Sequence, residues 1–292
     1  MQRHLPLLLT ITLLCHGTWS AGQQLALWED SLVAHYQTLK NAQDDAGRTA
    51  ASEAMRSVFL ELLNDRNTFE YPFSRLTFSA LKSSDSRVRI FNWNEPRKDG
   101  TFRYYAFVMM RNSPKEAHTW VELTSPVRET DRPETKFLTV DKWFGALYYE
   151  IIPVKSKRNK PADTYVLLGW AGKDFNTTRK VIDALTLQGN GKVRLGAPIF
   201  ETPSGTRKRI LFEFSSDVSM SVKYYPKKNC IVMDHLSPKN EMMEGIWSEY
   251  GPDGSYDLLQ LENGKWKLYE NIDVSRFSSS DDRPYTDPRL RR

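Results

Sequence analysis

Cysteine is scarce: the 292-residue chain has two, Cys15 and Cys230. That excludes a disulfide framework and every C-x-x-C metal or redox pattern. Histidine is also sparse, and His35, His118 and His235 each lack a second His or Cys at ligand spacing. H-E-x-x-H and the Asp-x-Asx-x-Asx-Gly calcium loop do not occur, so neither a metal nor a cofactor is expected. G-x-S-x-G is missing, and with it the usual setting of a serine nucleophile. Gly189-Asn-Gly191-Lys192 lacks the glycine spacing and Lys-Ser/Thr ending of a phosphate loop and reads as a hairpin turn. An excess of one charge is wanting too: 41 basic residues face 36 acidic ones, a net charge of +5. The two signs are interleaved, which describes a solvated mixed surface and not a nucleic-acid-binding face.

Long apolar runs are absent after the first residues, so no transmembrane span is expected in the mature chain. The one run present, Leu5–Leu14, follows a short segment carrying Arg3 and precedes the small residues Gly17, Thr18, Ser20, Ala21 and Gly22. This is the order of a cleavable secretory leader, expected over residues 1–22, with Trp19 disfavouring cleavage after Ala21. A lipidated Cys15 is the second reading, weakened by Leu14 in front of it. Export makes Cys230 the lone cysteine, and its strand-like setting Asn229-Cys-Ile-Val-Met233 predicts a buried, inert thiol.

What is there is aromatic and alternating. Aromatic residues make up 12% of the chain and include eight Trp, a composition suited to pleated surfaces. Residues 23–70 read as a helical element. Leu25, Trp28, Leu32, Tyr36 and Leu39 share one helix face, and Ala51, Met55, Val58, Phe59, Leu62 and Leu63 form a second stripe after Asp44-Asp-Ala-Gly47. Residues 71–275 read as one antiparallel β domain of about a dozen strands, a meander forming a sandwich or barrel. Asp99-Gly100, Asn190-Gly191, Asp253-Gly254 and Asn263-Gly264 mark hairpin turns. Ile210, Phe212 and Phe214, then Met220, Val222 and Tyr224, alternate with polar or outward neighbours. Residues 125–136 and 155–163 are polar loops, and 276–292 reads as a disordered tail. Asn176-Thr-Thr178 matches a glycosylation sequon, relevant only in a eukaryotic secretory pathway.

Two functional readings lead, with a structural role as scaffold or capping piece as the residual third. In the first, the protein is non-catalytic and binds a partner protein or glycan through an aromatic-rich β surface, with Trp93, Tyr105, Trp143, Tyr148 and Trp170 as candidate binding residues, since rings offer flat apolar faces. The tyrosine pairs Tyr104-Tyr105, Tyr148-Tyr149 and Tyr224-Tyr225 place one ring on each sheet face, which leaves some rings accessible. In the second, a secreted hydrolase uses a carboxylate pair drawn from Asp141, Glu150, Asp183, Glu213, Asp234, Asp253 and Asp257, or His235 near Asp234.

Several segments resemble a group of uncharacterised exported proteins of Bacteroidota-type bacteria. They include Val88-Arg-Ile-Phe-Asn-Trp-Asn94, Asp99-Gly-Thr-Phe-Arg-Tyr104, Trp143-Phe-Gly-Ala-Leu-Tyr-Tyr149, Leu167-Leu-Gly-Trp170, Phe212-Glu-Phe214, Met220-Ser-Val-Lys-Tyr224, Asp234-His-Leu236 and Gly251-Pro-Asp-Gly-Ser-Tyr-Asp257. The resemblance spans roughly 75–275. It implies export, with a periplasmic, outer-membrane-associated or extracellular destination, and carries over no catalytic residue.

Overall fold

The computed structural model describes residues 21–125, 130–154 and 162–272. Most of the expected leader and all of the 276–292 tail lie outside the described residues. Two helices come first, α1 (Ala21–Asn41) and α2 (Asp45–Leu62). They part where the sequence predicts: Asp44 is extended, and its carboxylate accepts the Gly47 N–H at 2.7 Å, satisfying one donor left open at the start of α2.

Among the described residues fifteen strands follow. They are β1 (Ser79–Lys82), β2 (Val88–Pro96), β3 (Phe102–Met110), β4 (Thr119–Leu123), β5 (Leu147–Pro153), β6 (Thr164–Gly172), β7 (Thr177–Leu187), β8 (Val193–Leu195), β9 (Phe200–Thr202), β10 (Gly205–Arg207), β11 (Ile210–Ser215), β12 (Val222–Tyr225), β13 (Cys230–Pro238), β14 (Tyr250–Glu262) and β15 (Lys265–Ile272). They form three sheets, ordered β1-β2-β3-β4, β11-β7-β6-β5 with β8 also on β7, and β10-β9-β15-β14-β13-β12. Each ladder is open-ended, which makes the architecture a stack of sheets and not a barrel. Pairing is antiparallel except where Trp266 of β15 meets Phe200 of β9 in parallel.

Alternation sets the order of the layers. In β3, Tyr105, Phe107 and Met109 turn to the helices, while Tyr104, Ala106, Val108 and Met110 turn to the central sheet. In β6, Tyr165 and Leu167 face the first sheet, and Val166 and Leu168 face the third. The layers therefore run helices, first sheet, central sheet, third sheet, with an apolar core in each gap. A bulge between Tyr148 and Glu150 in β5 returns Tyr148 and Ile151 to the same face. The central sheet is covered on both sides, so β7 is buried continuously from Thr177 to Leu185.

The helical element is not a separate unit. Phe59 stacks on Trp93 (ring centroids 5.4 Å apart, 16° between planes) and packs on Phe91 and Phe107. Each such buried ring contributes about 1.5–3 kcal/mol. The link to β1 is held by buried Arg89, which donates to the carbonyls of Phe69 (2.9 Å) and Tyr71 (2.6 Å) and lies 4.8 Å from the ring centres of Phe73 and Phe91. Burial pulls its pKa down to about 10.

The turn signals divide. Asn263 (φ 51°) and Gly264 (φ 80°) close the β14–β15 hairpin next to the Glu262–Lys265 pair, in the left-handed region that a type I′ turn requires. Asp253-Gly254 does not make a hairpin. It lies inside β14, where Pro252 to Tyr256 stands against only Leu236 to Asp234, and the surplus forms a bulge. No helix among the described residues is long and apolar enough to cross a membrane.

Candidate binding groove

The five aromatics expected on a binding surface are interior residues. Trp93, Trp143, Tyr148 and Trp170 are at most 4% exposed and Tyr105 is 7% exposed. Trp93 and Tyr105 lie parallel, 4.9 Å apart, beneath the helices. The Trp143 Nε1–H donates to the Tyr148 hydroxyl at 3.0 Å, which donates to Asp183 Oδ2 at 3.1 Å inside the first sheet gap. Trp170 packs edge-on against Phe102. Both faces of the first and central sheets are covered, so alternation sends these rings into one core or another. Tyr149, Tyr224 and Tyr225 are half-buried.

Among the described residues the exposed tryptophan is Trp247, in a 3₁₀ turn (Trp247–Glu249) just ahead of β14. Its ring centre is 4.7 Å from that of Tyr250, and its chain neighbour Ile246 is exposed too. Trp247 and Tyr250 stand over a cavity of about 630 Å³ lined by β11 residues Leu211, Phe212 and Glu213 with Phe144 and Arg179. A second cavity of about 640 Å³ continues from it, and the two share Glu134, Ser204, Leu211 and Glu270. Arg132, Arg207 and Arg209 line the second cavity. The whole is a groove with an aromatic end and an arginine-bearing end, set between the edge of the central sheet and the third sheet.

One buried side chain builds its wall. Arg209, fully buried ahead of β11, reaches inward to Asp183 Oδ1 (3.1 Å) and outward to the carbonyls of Pro133 and of Lys136 (3.2 Å). It thereby fastens the 3₁₀ turn Pro133–Thr135 to the sheet edge. Its Nη2 has no hydrogen-bond partner among the described residues.

Of the seven acids considered for hydrolysis, Glu213 is the one that lines this groove. Burial pushes its carboxyl up, but Lys173 Nζ and Arg179 Nε, each at 2.7 Å, outweigh that and hold it below the ordinary glutamate value. Such a carboxylate carries no proton to donate near neutral pH. Asp183 is sealed in with Arg209. Asp234 and His235 part to opposite faces of β13: Asp234 Oδ2 accepts the Ser221 N–H at 2.7 Å, while His235 Nδ1 lies 2.9 Å from Asp257 Oδ1. No group of three or more His, Cys, Asp or Glu side chains that could hold a metal occurs among the described residues.

Trp247 is one of the chain's eight Trp but not one of the five candidate binding residues, and Tyr250, Arg132, Arg207 and Arg209 carry no local signal. The available signal was that Trp247 sits between turn residues, in Glu244-Gly-Ile-Trp-Ser-Glu249, outside every alternating run. The arginines gain meaning only when the third sheet folds over the edge of the second. No protein-family model, curated protein or solved structure matches this chain.

Proposed function

We propose that this chain is an exported, non-catalytic binding protein of the cell envelope that holds an extended ligand, a partner-protein segment or a glycan chain, in the groove under Trp247. The observation that carries the reading is the pair Trp247 and Tyr250, rings 4.7 Å apart, at the mouth of a cavity of about 630 Å³. Ligand sites are concave and few per protein, and an amphipathic ring at the mouth is suited to sugar faces and to peptide side chains alike. The pinned state of Glu213 favours binding over hydrolysis. The leader-like N-terminus and the family resemblance support export.

The test is affinity electrophoresis of the full chain in gels carrying neutral or charged polysaccharides, beside binding to an immobilised peptide array. Retardation or capture by wild type that is lost in Trp247→Ala is the expected result. Equal behaviour of the two proteins on every ligand bound, or no ligand bound at all, would sink the reading. Fractionation of tagged cells adds the second arm, since a full-length chain retained in the cytosol contradicts export.

A further inference from the structure

We infer that the groove takes an acidic glycan, a chain bearing uronate or sulfate groups, with its anionic groups at Arg132 and Arg207 and a sugar ring on Trp247. The inference rests on the binding reading above and names the ligand class.

Three features carry it. First, the arginine end is undercommitted. Arg132 and Arg207 both line the second cavity, and neither has a carboxylate partner among the described residues. Several other arginines do have one, as Arg56 has Glu122 at 2.6 Å and Arg179 has Glu213 at 2.7 Å. A guanidinium presents a planar fork of donors that matches a carboxylate or sulfate.

Second, the position of these arginines is built. The turn after Arg132 is fastened by Arg209, which stands behind the same wall with no exposed surface of its own. Exposed Phe137, on the same segment, has Arg194 and Lys208 at 4.1 and 4.6 Å from its ring centre, which adds positive charge nearby. Glu134 and Glu270 also line the groove, so a ligand must place its charges at the arginines and its hydroxyls at the acids.

Third, the two ends adjoin. A sugar chain offers flat apolar faces between charged substituents, and the groove offers an aromatic pair followed by arginines. A peptide adding as a strand would need the edge of β11, and the turn Trp247–Glu249 packs against that strand.

Two matched probe pairs separate charge from backbone: polygalacturonate against its methyl ester, and dextran sulfate against dextran. Binding is read by titration of tryptophan fluorescence at about 0.15 M salt, where a Debye length of about 8 Å suppresses long-range attraction. At least one charged polymer is expected to bind about tenfold or more tightly than its neutral partner, and which one binds tells carboxylate from sulfate recognition. Arg132→Ala/Arg207→Ala should lose about tenfold on that polymer, while Lys98→Ala/Lys115→Ala, which removes the same charge elsewhere, should not.

Equal binding of charged and neutral polymers, dependent on Trp247, overturns the acidic preference and leaves the binding reading intact. Equal loss in both double variants means diffuse attraction and overturns the site. Polyglutamate bound as tightly, with the same arginine dependence, overturns the glycan assignment in favour of an acidic protein segment. Failure of every polymer and peptide overturns both readings. Unchanged far-UV and near-UV spectra confirm that the variants are folded.

Discussion

Arg209 Nε stands 3.1 Å from Asp183 Oδ1, and neither side chain has any exposed surface. The pair joins the interior of the central sheet to the groove: Asp183 also receives the Tyr148 hydroxyl, and Arg209 holds the turn that carries Glu134. Removing one member of a buried ion pair leaves the other charge uncompensated, which costs about 3–5 kcal/mol. Arg209→Met and Asp183→Asn are each expected to destabilise the protein by that amount in urea titrations. The double variant should cost less than the sum, because the second change removes a charge the first had stranded. Additive losses would mean that the two charges do not depend on one another.

Two carboxylates give stability opposite pH slopes. Glu213 has its pKa below the ordinary 4.5, because Lys173, Arg179 and Thr177 outweigh burial. A group depressed on folding contributes stability above its unfolded pKa and loses it as pH falls toward the folded one. Asp234 is raised above the ordinary 3.8 by burial, only partly offset by the Ser221 N–H. Its charged form is therefore disfavoured in the fold, and stability declines as pH rises through its folded value. Glu213→Gln should lower stability at pH 7 and flatten the acid loss below about 4.5. Asp234→Asn keeps an acceptor for Ser221 and should raise stability at neutral pH, with little effect where the acid is already protonated. Thermal midpoints measured across the acid range check both signs.

Much of this fold was legible in local pattern. The helix break at Asp44, the Asn263-Gly264 hairpin and the alternating faces of β3 and β11 all follow from one or a few neighbouring residues. Period two assigns Tyr104 and Tyr105 to opposite faces, yet it does not say which faces meet solvent. Here both do not: one ring enters the core under the helices and the other the core between sheets. That is why Trp93, Tyr105, Trp143, Tyr148 and Trp170 are interior, and why the tryptophan at the groove is Trp247, from a turn. Asp253-Gly254 has hairpin chemistry, and the long pairing of β13 with β14 absorbs it as a bulge. Arg132, Arg207 and Arg209 meet at the groove through contacts between sheets that no local pattern encodes.

Cys230 tests the packing of the third sheet. It is buried, and desolvation pushes its thiol up to about 11. The thiolate is the reactive species, so both access and ionisation oppose modification. At pH 8 the folded protein should react with a thiol reagent orders of magnitude more slowly than the same protein in denaturant. The rate in native buffer should rise in step with destabilising substitutions such as Arg209→Met. A native rate close to that of a free thiol would mean that the β12–β13 edge opens readily.

Gly169 and Tyr148 face one another across β5 and β6. A β-carbon added at Gly169 would sit 2.8 Å from Tyr148 Cδ1 and 3.3 Å from Ala146 Cβ, inside a fully packed gap. The Tyr148 ring has little freedom to withdraw, because its hydroxyl is held between Trp143 and Asp183. Overpacking of this kind costs about 1–3 kcal/mol. Gly169→Ala should therefore destabilise by that amount, and Tyr148→Phe should soften the loss by freeing the ring from its two hydrogen bonds. Denaturant midpoints for the two single variants and the double variant measure the coupling. A double variant whose loss equals the sum would show that the ring is held by packing alone and that its hydroxyl contacts do not restrain it.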